Sequence, residues 1–257
     1  YEILSGLVGS EMCIRDRLLT PEGHKLYEHV AIAFEQLALG EEAIIRNRDL
    51  ENGLISIGAS ENALRLILLS ELEHFCARYP HVRIRLLNYS APQAVKALEN
   101  NIIDFAIVST PVLVHKHMHQ EKLVSYDEIL LGGTKYKQFA QQVHYLEDIS
   151  EMPLIGLCEG SSTHTHYSRF FMEHDLPFEP DMEAAMTDQV LPMITHNLGI
   201  GFYPKSLALE AIEKELVFPI ELTEPLPNRD VVVITNNHTP INSAARRFLE
   251  FLLENRK

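Results

Sequence analysis

Between Gly53 and Pro111 the chain alternates apolar strand patterns with amphipathic helix patterns, and this alternation constrains the fold most. Leu54 to Gly58 reads as a buried strand. Leu64, Leu68, Leu72 and Phe75 then mark one helix face, which must end before Pro80. Val82, Ile84 and Leu86 alternate with Arg83, Arg85 and Leu87, a strand pattern. Pro92 opens a helix through Val95 and Leu98 that Asn100 and Asn101 stop, and Asp104 to Val108 is a third strand. A strand–helix–strand–helix–strand run implies a parallel sheet with right-handed crossovers.

A second run of the same kind follows. Glu128 to Gly132, Leu154 to Leu157, Glu183 to Met186 and Gly199 to Phe202 read as strands. Ser162 to His174 and Asp188 to His196 read as helices. Asn197 stands where the latter must end and is expected in the left-handed region, which Asn tolerates best after Gly. Val231 to Thr235 adds a strand and Asn242 to Glu254 a helix. The predicted class is α/β, with two pseudo-symmetric Rossmann-like halves. Each half holds an apolar strand that runs into a hydroxyl-rich helix start: Leu54 to Asn62 in the first, Leu154 to Thr163 in the second. Such starts present unpaired backbone N–H groups and a partial positive charge.

Ahead of these halves, Thr20, Pro21 and Glu22 form a strong helix N-terminus. Leu26, Val30, Ala33, Leu37 and Ile44 then follow a heptad-like seam suited to pairing with a second chain. A polar linker is expected at Asn47 to Asn52. Leu4 to Arg17 resembles translated sequencing-adapter sequence, so residues 1–17 are read as a non-native or disordered segment.

The formal charge of -14 argues against nucleic-acid binding by these residues themselves, since phosphates need a basic surface. Cys13, Cys76 and Cys158 form no CxxC pair, which favours a reducing cytoplasm. No apolar run reaches a membrane span. His115, His117 and His119 recur at every second residue, a spacing that on a strand would share one face. With no Cys or carboxylate pair beside them, a solvated polar strand is the simpler reading, and no metal or cofactor is expected.

Several short stretches carry a resemblance to LysR-type transcriptional regulators. Leu19-Thr20-Pro21-Glu22-Gly23 resembles the end of the wing and the start of the linker helix in that family. Gly53 to Gly58, Tyr79-Pro80 before Val82, and Ile103 to Ile107 are similar to its effector-binding domain. So is Asn197-Leu198-Gly199-Ile200-Gly201-Phe202-Tyr203-Pro204. Two departures stand out: Asn62 where the family has Ser or Thr, and Asn197 where it has Gly.

The resemblance implies a fold like the type 2 periplasmic binding proteins: two subdomains joined by two crossing strands, near His117–Tyr126 and Val217–Val231. It divides the chain into the end of the wing and the linker helix at 18–50, one subdomain at 51–124 with 224–257, and another at 125–223. It also implies a winged helix-turn-helix ahead of Leu18 as the only contact with promoter DNA. Partners would be a small-molecule effector and a second or further copies of the chain.

Open α/β sheets bind ligands beyond strand C-termini. The candidate ligand residues are therefore Ser60, Asn62, Ser90 and Thr110 from the first half, and Ser161, Thr163 and Thr187 from the second. Arg65 is the one basic residue near these loops, so an anion would lean on backbone groups. The alternative function is an extracytoplasmic solute receptor for a transporter, which shares this fold. An enzyme is not expected, because no Gly-x-Ser-x-Gly, His-Glu-x-x-His or P-loop occurs.

Overall fold

The computed structural model describes residues 20–46 and 53–254. The expected N-terminal segment 1–17 and the linker at 47–52 lie outside the described residues, as does the Ile44 side chain. Helix α1 (Pro21–Arg46) leads. Leu26, Val30, Ala33 and Leu37 all lie on it exposed, as do Tyr27 and Phe34. Glu35 on its other flank pairs with Arg85 at 3.2 Å.

The first sheet contains β1 (Leu54–Ala59), β2 (Arg83–Asn88), β3 (Phe105–Ser109), β4 (Met118–Tyr126) and β11 (Arg229–Asn236), in the order β2-β1-β3-β11-β4. The predicted parallel run is present, with β1 parallel to both β2 and β3. Strand β11 then inserts antiparallel between β3 and β4.

The second sheet contains β5 (Glu128–Gly133), β6 (Val143–His144), β7 (Leu154–Leu157), β8 (Met182–Ala184), β9 (Ile200–Pro204) and β10 (Val217–Leu222), in the order β6-β10-β5-β9-β7-β8. Strand β7 is parallel to β8 and β9, and β5 lies antiparallel beside β9. The two sheets thus share a plan. Each has three parallel strands flanked by an antiparallel strand that has just arrived from the other half.

The passages between halves are short. The chain leaves the first sheet after Tyr126 and enters the second at Glu128. It leaves again after Leu222 and returns at Arg229. Most of His117–Tyr126 and the first part of Val217–Val231 are sheet strands, as crossing strands should be, and the passages themselves are Asp127 and residues 223–228. The polar run His119 to Lys122 lies on β4 at the exposed edge of the sheet, where side chains need not be apolar, in keeping with the polar strand expected there.

Helices cover both faces of each sheet. On the first sheet they are α2 (Glu61–Ala63), α3 (Leu69–Arg78), α4 (Ala91–Glu99) and α9 (Ser243–Glu254). A π turn at Leu64–Leu68 joins α2 to α3, where the periodicity predicts an unbroken α-helix. On the second sheet lie α5 (Leu146–Ser150), α6 (Ser162–Met172), α7 (Thr187–Thr195) and α8 (Lys205–Glu213). Two apolar clusters result in each half, one per sheet face, as sheets with strands buried on both sides require. In the first, Phe248 of α9 stacks on Phe105 at 5.7 Å and meets Phe75 edge-on at 4.9 Å.

Asn197 adopts the expected left-handed conformation, φ 61°. Its side chain explains why Gly is not needed there. Oδ1 accepts from the Lys135 backbone N–H at 2.7 Å and lies 3.3 Å from Thr134 Oγ1, binding the end of α7 to the end of β5.

Candidate functional site

The parallel strands place helix openings at their C-terminal ends in both halves: β1 leads to Ser60 and α2, β7 to Ser161 and α6, and β8 to α7. Ser60 is the N-cap of α2; its Oγ accepts from Ala63 N–H at 3.4 Å and from Ser109 N–H at 3.3 Å. Ser161 caps α6 by accepting from His164 N–H at 3.0 Å. Ser90 is the N-cap of α4, with Gln93 folded back to accept from its N–H at 2.9 Å. These serines are committed to their helices.

Asn62, Thr110 and Thr163 meet at a centre that the sequence reading did not find. Arg229, the first residue of β11, is wholly buried and forms an ion pair with Glu128, the first residue of β5, at 3.1 Å. Its Nε donates to the Thr110 carbonyl at 2.8 Å, and its Nη1 also donates to Thr163 Oγ1 at 3.0 Å. Thr110 Oγ1 accepts from Asp230 N–H at 3.0 Å. Tyr167 of α6 donates its hydroxyl to Glu128 Oε2. The guanidinium stands 5.8 Å from the ring centre of Tyr126, whose hydroxyl accepts from Asn62 Nδ2 at 3.4 Å. One side chain thus grips both halves where the chain passes between them.

Thr187 is reached through a cavity of about 10 Å³, room for roughly one water, lined also by Glu128, Thr163, Tyr167 and Phe178. Nearer the mouth, Arg65 in the π turn donates to the Tyr203 hydroxyl at 2.8 Å, and Asn88 Nδ2 lies 3.4 Å from Met186 Sδ just before α7. The two halves are in contact across the cleft through these pairs.

The expectation that Arg65 is the only basic group near the pocket is corrected: Arg229 is nearer its centre. The signal was present in two charged residues, each opening an otherwise apolar strand, Glu128 before Ile129-Leu130-Leu131 and Arg229-Asp230 before Val231-Val232-Val233. A charge at such a position must be paired if the strand is to be buried.

Burial and charge shift the titrations of the surrounding groups. Burial, then the Glu128 charge, pushes the Tyr167 hydroxyl well above the ordinary tyrosine value. Burial also raises Tyr126, against the pull of Arg229. Burial would lower the Arg229 value, but the Glu128 charge and hydrogen bond together with Tyr126 and Tyr167 outweigh it and the guanidinium stays charged.

His166 lies beside this cluster, its ring 5.2 Å from that of Tyr167 and its Nε2 buried without a partner. Burial first, and the Arg229 charge second, lowers its pKa to about 4. The unfolded chain therefore takes up a proton below about pH 6.5 that the folded chain refuses until about pH 4. Stability contributed by neutral His166 is fully present above pH 6.5 and is lost as pH falls through that window. A loss of roughly 1–2 kcal/mol is expected after solvent screening. Thermal melts from pH 7.5 to 4 should show a drop that is shallower in His166→Asn; equal slopes would contradict this assignment.

His115 and His117 make contacts within the fold. His117 stacks on His238 at 4.8 Å and on His115 at 5.7 Å, and His115 pairs with Glu99 at 3.0 Å. Among the described residues, no group of three or more His, Cys, Asp or Glu is placed to hold a metal, and no helix is long and apolar enough to cross a membrane.

Comparison with known proteins agrees with this architecture. The chain is 21% identical over 238 residues to the HTH-type transcriptional regulator YofA of Bacillus velezensis, covering 93% of this chain and 80% of that one. Among solved structures, the regulatory domain of CcmR from Synechocystis PCC6803, in complex with 2-PG, superposes with a TM-score of 0.71. It is 15% identical and covers 80% of this chain and 98% of its own. The effector binding domain of QuiR in complex with shikimate gives a TM-score of 0.70 at 15% identity, covering 80% of this chain and 97% of that one. These two likenesses establish the fold: two linked α/β halves of the regulatory-domain kind. The sequence match settles the choice between regulator and extracytoplasmic receptor, since residues 48–257 match the LysR substrate binding domain family, and the chain belongs to it.

Proposed function

We propose that this chain is the effector-sensing and self-associating part of a cytoplasmic LysR-type regulator, and that it captures a small polar metabolite in the cleft between its halves without transforming it. The observation that carries this reading is the Arg229 centre. It joins Thr110 of the first half to Glu128 and Thr163 of the second, at the points where the chain crosses between them. A ligand that competes for these groups biases the angle between the halves, because it binds one arrangement better than another. The functional units are residues 51–126 with 224–257, and 127–223, two residues beyond the expected boundary at 124 because Ser125 and Tyr126 pair with β11. The ligand groups are Asn62, Thr110, Thr163 and Thr187, with Ser60, Ser90 and Ser161 shaping the helix openings that surround them.

Capture fits the geometry better than catalysis. The one carboxylate at the centre, Glu128, is held by Arg229 and by Tyr167, so it is poorly placed to serve as a free base. CcmR and QuiR, solved with 2-PG and shikimate, support a small oxygen-rich ligand here too. A thermal-shift screen of cytoplasmic metabolites tests the reading. A true ligand at a hundredfold excess over its Kd adds about 2.7 kcal/mol of stability, and Thr163→Ala should abolish most of that shift. If the shift survives both Thr163→Ala and Thr187→Ala, the ligand sits elsewhere.

Self-association is assigned to α1, with promoter DNA reached only through a winged helix-turn-helix preceding that helix. Leu26, Phe34 and Leu37 are 65%, 70% and 69% exposed along one seam with Val30 and Ala33. That much apolar surface on a helix calls for a partner helix. Charges placed in the seam by Phe34→Glu with Leu37→Glu should lower the mass found by sedimentation to that of a single chain, leaving the circular dichroism of the α/β halves intact. An unchanged mass would remove α1 from the interface.

A further inference from the structure

Away from the cleft, at the opposite end of the first sheet, the molecule holds a cavity of about 560 Å³, within the size range of small-molecule sites. It opens where α3 ends, β2 is about to begin and α9 starts. That is the N-terminal end of β1 and β2, whereas the cleft lies beyond their C-terminal ends. Phe75, Val82 and Ala244 give the cavity an apolar wall that is continuous with the core of this half.

The charged lining has one sign in excess. Arg78, Arg246 and Arg247 line the cavity, and Glu250 is the one carboxylate that does so among the described residues. Arg247 is satisfied: it pairs with Glu250 at 3.0 Å, and its Nε donates to the Tyr79 hydroxyl at 2.9 Å. Arg78 and Arg246 are exposed and have no carboxylate partner among the described residues. Two such guanidiniums gathered on one cavity repel each other, in a chain whose formal charge of -14 shows that carboxylates are plentiful. An anion in the cavity offsets that repulsion.

The flat groups in the wall select among anions. Arg78 lies 5.8 Å and Arg247 6.0 Å from the ring centre of Tyr79, which is itself tilted against Phe75 at 4.7 Å. Planar guanidiniums and rings offer surfaces on which another ring stacks. A bare inorganic anion would fill little of the volume and leave the apolar wall wet. A flat aromatic body covers that wall while its charged group is taken by the free guanidiniums. Three positive charges against one negative leave room for one or two charges on the ligand.

We propose that this cavity is a second ligand site, separate from the cleft, for a small aromatic molecule carrying one or two negative charges, held by Arg78 and Arg246 against Phe75, Tyr79 and Val82.

Isothermal titration of the full chain with indole-3-acetate, beside indole-3-acetamide and acetate, tests it. The aromatic acid should bind with a Kd of about 1 mM or below, and about tenfold or more tightly than either control. The double variant Arg78→Gln with Arg246→Gln should weaken that binding about tenfold or more. Thr163→Ala, in the cleft, should leave it within about twofold of the parent. Bound indole-3-acetate should also shield Arg78 and Arg246 of the unaltered chain from phenylglyoxal, read by mass spectrometry, so the test does not depend on how the double variant folds. An amide that binds as well as the acid overturns the proposal, because charge is then not read. Acetate binding as well as the aromatic acid overturns it too, because the ring is then not read. So does binding that the double variant keeps, binding that Thr163→Ala abolishes, absence of the shielding, or no binding of indole-3-acetate at all.

Discussion

Arg229→Met lowers stability by about 3–5 kcal/mol, the cost of leaving Glu128 buried without its counter-charge. Glu128 would retain the Tyr167 hydroxyl but lose its only salt bridge among the described residues. Thr163 Oγ1 and the Thr110 carbonyl would lose their donors at the same time. Adding Glu128→Gln to this variant should restore most of the loss, because replacing both members of a buried ion pair is close to neutral. Denaturant unfolding of the two single variants and the double variant gives the coupling directly. Independent, additive losses would mean that the pair does not act as a unit, and would weaken its place as the joint between the halves.

Phe248→Ala has an effect of similar size, about 3–5 kcal/mol, for a different reason. Phe248 is completely buried between Phe105 of the first sheet and Phe75 of α3. Truncating it opens a cavity in the middle of an aromatic cluster that also includes Tyr79 and Phe251. The substitution is remote from the cleft, so ligand affinity measured well below the melting temperature should stay within about twofold of the parent if such distant effects are independent. A loss of less than about 1 kcal/mol would show that the neighbouring rings collapse into the space, contrary to the close packing of native cores.

Local pattern carried much of this fold. Leu154 to Leu157 is a strand over the residues where four apolar positions in a row predicted one. The left-handed Asn197 followed from a helix that had to stop without a glycine. What local pattern could not show is which distant strands lie side by side. Val231 to Thr235 reads correctly as a strand, yet nothing in those residues says that it inserts antiparallel between β3 and β4. The same limit hid the site. Ser60, Asn62, Thr163 and Thr187 could be chosen because helix openings have a sequence signature, and Thr110 because it ends an apolar strand. Arg229 and Glu128 are 101 positions apart, and only the folded chain shows that each opens the strand after a crossing and faces the other. Helix α8 was legible but not read: Leu207, Ala208, Ala211 and Ile212 recur on one face and pack on the core of the second half.

The position of β11 also bears on how the molecule is made. Strand β11 and helix α9, made after the whole of the other half, complete the half that was begun earlier, since β11 fills the gap between β3 and β4, and α9 covers the face beneath β1. Strand β4 has no other neighbour in its sheet. During synthesis the later half, residues 128–222, can close on itself while the earlier one waits with β3 unzipped along one side. Nascent chains halted before Arg229 should therefore show protease resistance in the later half alone.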